Sequence, residues 1–461
     1  MVIVPVIAAL ALSASGCRPA STRRDPLRAR LERLVDVLHR AGRFDGAVVV
    51  SDATGVLFER GCGWADAERQ APFTPDTPTD GASLAKTFTA ALVLGLAAEG
   101  VLDVDAPVQR WLPELPYPDV TLRHLLSHSS GIPVRDYDFF DADLPSGAVR
   151  TTESLLRILA ARHPPPAWPP GTAFEYSSFC YDLAALAASR AGKASYIDLL
   201  KERFFEPLAM SSAFARPGRF GDFPGIRTRG YRHEGDGLAP NDVFDGEAFH
   251  GGSNLYISAR DLDRWNGSFL RAPRLSPEAL ADALTPATIG SGTSGLTLGS
   301  WYRRPDATAF WYSGHLQGFH SEVFRDLRRG WSVVYTSNNT IDPWMQKGLV
   351  RAIVAALEGE EPMTPAIPAV EAIAKEDRAE IAGRYEMPDG DALAIETVAG
   401  RVFALRAGVR YEAFAIAPEA FYVPGLDLVL GFARAAEGGG WRMFLSSNTD
   451  EGWWPRQAGP G

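Results

Sequence analysis

Asp80-Gly81-Ala82-Ser83-Leu84-Ala85-Lys86-Thr87-Phe88-Thr89-Ala90-Ala91 is the stretch from which the rest of this chain is read. It puts a lysine three residues after a serine, inside an apolar run that continues through Leu92, Val93, Leu94 and Leu96 to Gly100. That run predicts a largely buried helix of about four turns. Residues i and i+3 share a helix face, so the ammonium can reach the Ser83 hydroxyl. The chain has 46 Lys plus Arg, of which only Lys86, Lys193, Lys201, Lys347 and Lys375 are lysine. Of these, Lys86 alone has a serine three positions earlier. A desolvated lysine can act as a base, whereas arginine keeps its proton in proteins. The plainer alternative is a snorkelling lysine beside a helix-start hydroxyl.

Four further phrases bear on that choice: His124-Leu125-Leu126-Ser127-His128-Ser129-Ser130-Gly131, Pro170-Gly171-Thr172-Ala173-Phe174-Glu175-Tyr176-Ser177-Ser178, Gly251-Gly252-Ser253-Asn254-Leu255-Tyr256, and Tyr312-Ser313-Gly314-His315-Leu316-Gln317-Gly318-Phe319. In this order the five phrases resemble the class C β-lactamase-like branch of the penicillin-binding-protein-like serine hydrolases, whose nucleophile sits in Ser-x-x-Lys. The resemblance implies an α+β fold, an antiparallel sheet packed beside a helical region. It also implies Ser83 as nucleophile, with Lys86 and Tyr176 as the groups that move its proton. Backbone N–H groups of Ser83 and His315 would form the oxyanion hole, with Ser178, Tyr312, Ser313 and Gly314 around the substrate.

Two positions depart from the family pattern. Ser178 stands where the family usually has Asn, and a hydroxyl reaches less far than an amide. Ser178 is alternatively a cap for a helix over Phe179–Ser189. Tyr312 stands where the family usually has Lys or His, and a phenol cannot supply the cation that a carboxylate-bearing substrate would meet. This favours ester or amide substrates over penicillin-type ones. Alternative readings are a penicillin-binding-protein-like thioesterase that cyclises peptides, and a sensor of β-lactams or peptidoglycan fragments that acylates without turning over.

With 461 residues, 46% of them hydrophobic, the chain can bury a large core and form two domains. A net charge of −10 with scattered basic residues argues against a nucleic-acid partner. Cys17, Cys62 and Cys180 are too few and too dispersed for a zinc cluster or disulfide framework, and Cys62 and Cys180 read as small core residues. His124 and His128 have no third ligand in view and read as structural hydrogen-bonders. Neither a metal nor an organic cofactor is expected.

Met1 to Ala14 is almost wholly apolar and ends in Ala14-Ser15-Gly16-Cys17, similar to a bacterial lipoprotein cleavage site. Residues 1–17 are therefore expected to be a signal peptide, with Cys17 lipidated and the protein tethered in the cell envelope. No Lys or Arg precedes Cys17, and an uncleaved cytoplasmic N-terminus is the alternative. Residues 25–357 are expected to form the catalytic domain and 358–369, holding three prolines, a linker. Residues 370–461 read as short strands around Leu393–Thr397, Val402–Leu405, Tyr411–Ile416, Phe421–Val423, Leu428–Phe432 and Trp441–Leu445. Such a meander must close to cover its edges, and it resembles a lipocalin-like barrel. The glycines of Gly290-Ser291-Gly292-Thr293-Ser294-Gly295 lack a phosphate-loop lysine and read as a flexible loop near the site.

Overall fold

A computed structural model describes residues 20–234, 237–271, 275–386, 392–435 and 440–457. The Cys17 leader lies outside the described residues. Two eight-stranded sheets dominate the described residues. The first contains β1 (Gly46–Asp52), β2 (Gly55–Cys62), β3 (Pro286–Ile289), β4 (Gly292–Thr297), β5 (Tyr302–Arg303), β6 (Ala309–Leu316), β7 (Phe319–Asp326) and β8 (Trp331–Ser337). Its order is β3-β4-β5-β6-β7-β8-β1-β2, so the N-terminal hairpin completes a sheet built mainly from later sequence.

Helices α1 (Ala20–Arg40), α4 (Ala259–Arg271) and α5 (Pro343–Glu358) pack on this sheet, and α2 (Ala85–Ala98) and α3 (Ser178–Gly192) lie in the helical lobe beside it. Helix α4 packs on β1, β7 and β8, while α1 packs on β2 and α5 on β8. Cover from these helices explains why Ala47, Val48, Val49 and Val50 are all fully buried instead of alternating. Helix α2 packs against α3 in the helical lobe. None of the helices among the described residues is long and apolar enough to cross a membrane.

The second sheet runs in sequence order through β9 (Gly383–Glu386), β10 (Ala392–Val398), β11 (Arg401–Arg406), β12 (Val409–Ala417), β13 (Ala420–Val423), β14 (Leu428–Arg434), β15 (Trp441–Ser446) and β16 (Glu451–Pro455). A bridge between Tyr385 and Arg456, and Gln457 N donating to Arg384 O at 2.8 Å, bring β9 against β16 and nearly close the barrel. Closure removes the exposed edges. The six strands read from sequence all form. The closing strands β9 and β16 were not foreseen, because Gly383-Arg384-Tyr385-Glu386 and Glu451-Gly452-Trp453-Trp454-Pro455 lack a run of β-branched residues.

The glycine-rich segment from Gly290 to Gly295 is not a flexible loop. It is the turn and start of the β3–β4 hairpin, and Gly292 and Gly295 let the barrel approach. A Cβ on Gly295 would stand 2.6 Å from the Gly425 carbonyl oxygen, so only glycine fits there. The Gly295 N–H donates to Tyr411 Oη at 2.8 Å from the barrel side.

Candidate active site

Ser83 sits in a single 3₁₀ turn, Ala82–Leu84, that leads directly into α2. The turn is pinned by Ala82 N donating to Asp80 Oδ1 at 2.8 Å. Ala82 holds a left-handed φ of 47°, a costly conformation for a residue with a Cβ, at the bend that presents Ser83. One helical turn places Lys86 beneath Ser83 and fully buried. Its ammonium donates to Gly252 O at 2.7 Å, Ser178 Oγ at 2.9 Å and Ser83 Oγ at 3.2 Å. Three N–H donors thus have three acceptors, which is how a buried lysine is tolerated.

Tyr176 approaches from the opposite side, its hydroxyl donating to Ser83 Oγ at 2.9 Å. The Tyr176 ring lies 4.9 Å from Lys86 Nζ and stacks on His128 at 4.4 Å. Nδ1 of His128 accepts from Ser177 N at 3.1 Å, and burial holds this imidazole well below its ordinary pKa, hence neutral. His128 therefore acts as a flat support for the tyrosine. His124 accepts at Nδ1 from Thr121 N, completing a capping box on the short helix Leu122–Leu126.

Ser178 does not cap α3. The cap is Ser177, whose hydroxyl accepts from Cys180 N, while the Ser178 hydroxyl turns inward to Lys86. Two adjacent serines divide the work, and spacing alone could not say which one faced the lysine.

Strand β5 pairs with β6 only at Trp311 and Phe310, so from Tyr312 onward that edge of β6 faces the Ser83 turn. A Cβ on Gly314 would come within 2.1 Å of the Gly81 carbonyl oxygen, so glycine is what permits this approach. Tyr312 is fully buried, stacked on Tyr302 at 5.2 Å, with its hydroxyl 3.2 Å from that of Tyr176. Burial holds the Tyr312 phenol well above its ordinary pKa, so it stays neutral. His315 shares an Nδ1···Nδ1 hydrogen bond of 2.7 Å with His320, and burial keeps both rings neutral.

Two groups around this constellation were not singled out from sequence. Asp182, on α3, accepts from Gly252 N at 2.8 Å and from Tyr137 Oη at 2.5 Å, and burial raises it to about 7. It thereby orients the peptide whose carbonyl holds Lys86. The signal was a lone acid in an otherwise apolar helical run, Phe179-Cys180-Tyr181-Asp182-Leu183-Ala184-Ala185-Leu186. The second group reaches in from the barrel. Asp427 is fully buried and accepts from Ser313 Oγ at 2.8 Å, Tyr422 Oη at 2.9 Å and Lys347 Nζ at 2.7 Å. Lys347 also meets Glu322 at 3.2 Å, and burial pushes Glu322 up to about 8.

Residues 28–358 match the family described as Beta-lactamase. The chain is 24% identical over 425 residues to penicillin-binding protein 4* of Bacillus subtilis, covering 88% of this chain and 93% of that protein. It is 33% identical over 322 residues to esterase EstB of Burkholderia gladioli, covering 60% of this chain and 79% of that protein. The octameric penicillin-binding protein homologue from Pyrococcus abyssi superposes with a TM-score of 0.63 at 20% identity, over 93% of this chain and 98% of that one. The chain belongs to the β-lactamase family. Within that family it is a serine hydrolase.

Proposed function

We propose that this hydrolase works by the Ser-x-x-Lys chemistry of the class C type, on an ester or amide without a carboxylate beside the scissile bond. One observation carries the reading: Ser83 Oγ is held between Lys86 Nζ at 3.2 Å and Tyr176 Oη at 2.9 Å. In the unprotonated form Lys86 takes the Ser83 proton as Oγ attacks the substrate carbonyl carbon. The N–H groups of Ser83 and His315 receive the developing oxyanion. Tyr176 gives its proton to the departing oxygen or nitrogen and is replenished from Lys86. Water then attacks the Ser83 ester by the reverse relay: its proton passes through Tyr176 and Lys86 to Ser83 Oγ as the acyl–Oγ bond breaks, and the acid product leaves.

The substrate class follows from Tyr312 and Lys347. Tyr312 is neutral, and the lysine behind Ser313 is already matched by Asp427 and Glu322. The similarity to a protein named an esterase supports the same choice. A cavity of about 340 Å³ lies beside Tyr176, bounded by Trp168, Phe174, Phe403 and Phe414 together with Glu175, Arg401, Arg410 and Glu412, and it suits a substituent with an apolar body and a polar rim. Purified enzyme is expected to hydrolyse neutral aryl esters and D-amino-acid amides better than anionic β-lactams. Tyr312→Lys should shift relative kcat/KM toward the anionic β-lactams by roughly ten- to a hundredfold. An unchanged ratio in a folded variant would refute the role given to Tyr312.

Export and a lipid tether through Cys17 are part of the proposal, supported by Ala14-Ser15-Gly16-Cys17 after an apolar leader. Mass spectrometry of protein from a bacterial membrane fraction should find Cys17 as a diacylated N-terminus. An unmodified Met1-containing peptide as the main species would argue for the cytoplasm.

A further inference from the structure

We propose a transition-metal site of the zinc type, formed by His39, Asp45, Cys62 and His233, at the sheet end where β1 begins and β2 finishes. The four residues come from four separate segments. His39 lies in the last turn of α1, Asp45 immediately precedes β1, and Cys62 is the last residue of β2. His233 belongs to the strand Tyr231–Glu234 of a separate hairpin. Ligand-type atoms of His39, Asp45 and Cys62 all lie within 4.8 Å of one another. His39 Nδ1 and Asp45 Oδ1 are 2.6 Å apart. The other carboxylate oxygen, Asp45 Oδ2, faces His233 Nε2 at 3.9 Å.

Zinc bonds of about 2.0–2.3 Å in a tetrahedron separate their ligand atoms by roughly 3.3–3.8 Å, so movements of about 1 Å would gather His39, Asp45 and Cys62, while His233, on the far oxygen of Asp45, would have to swing in as the fourth ligand. One sulfur, two imidazoles and one carboxylate suit Zn²⁺ and its spectroscopic substitute Co²⁺, and are poor ligands for Mg²⁺ or Ca²⁺. Asp45 is buried, Cys62 is half-buried, and His39 and His233 reach solvent, which gives a cation a route in. None of the four has a hydrogen bond to Ser83, Lys86 or Tyr176 among those described, so the site stands apart from acyl transfer. From sequence no metal was expected, because Cys17, Cys62 and Cys180 are too few and too dispersed for a zinc cluster and His124 and His128 have no third ligand in view.

Metal-stripped full-length protein titrated with Co²⁺ should develop one equivalent of tetrahedral visible absorption with a thiolate-to-cobalt charge-transfer band. Zn²⁺ should displace the cobalt. Cys62→Ser should remove the charge-transfer band although Cys17 and Cys180 remain. His39→Ala and Asp45→Asn should each weaken binding at least tenfold. A charge-transfer band that survives Cys62→Ser would overturn the proposal. So would failure of the stripped wild-type protein to bind Co²⁺ stoichiometrically, or Co²⁺ affinity unchanged in His39→Ala and Asp45→Asn.

Discussion

Lys86→Arg is expected to lower kcat by roughly 10²–10⁴-fold, the range for losing a general base, and to be nearly as inactive as Lys86→Ala. Arginine keeps the positive charge and can still donate to Gly252 O and Ser178 Oγ, the two nearest of the three acceptors now served by Lys86. It cannot give up its proton to accept that of Ser83. A purely structural lysine would tolerate the change, because the charge and some hydrogen bonds survive. Steady-state kinetics on a neutral aryl ester, with circular dichroism to verify folding, separates these cases. A Lys86→Arg enzyme retaining most of its kcat would remove Lys86 from proton transfer.

Asp427→Ala should be the most destabilising single change outside the Ser83 cluster, by about 3–5 kcal/mol. The wild-type carboxylate is fully buried and is the shared acceptor of Ser313, Tyr422 and Lys347. Truncating it leaves the buried Lys347 with Glu322 as its remaining carboxylate partner, at 3.2 Å. Because Ser313 follows Tyr312 on β6, activity should fall together with stability. Asp427→Asn, which keeps shape and an acceptor oxygen, should recover part of both. Urea unfolding followed by tryptophan fluorescence provides the test. A variant within about 1 kcal/mol of wild type would mean that the network contributes little to holding barrel and sheet together.

The contrast between these two sites shows what a linear sequence makes legible. Ser83 and Lys86 are close in sequence because one helical turn separates them, so the proposed chemistry is written in four consecutive residues. Tyr176 was legible through the phrase around it, although its contact with Ser83 spans 93 residues. Hydrophobic alternation and turn residues likewise marked most strands of both sheets. Direction was the hard part: Ser177 and Ser178 are chemically equivalent in sequence, and only the entry angle of α3 sends one to the helix cap and the other to Lys86.

The Asp427 network was not legible at all. It joins Ser313, Glu322, Lys347, Tyr422, Asp427 and Asn448 from β6, β7, α5 and the barrel, and no period or motif links them. Lys347 stood out as one of five lysines, yet rarity says nothing about a partner 80 residues away. The glycine segment before β4 was misread for a related reason. Glycine marks both a flexible loop and a close backbone approach, and the approaching surface here is supplied by residues more than a hundred positions later.

Ser83, as the proposed nucleophile, should form a covalent adduct with a fluorophosphonate, which intact-mass analysis reads out. Wild-type protein should carry one adduct per chain, mapped to the peptide containing Ser83, and folded Ser83→Ala none. Labelling that persists unchanged in Ser83→Ala would contradict that assignment.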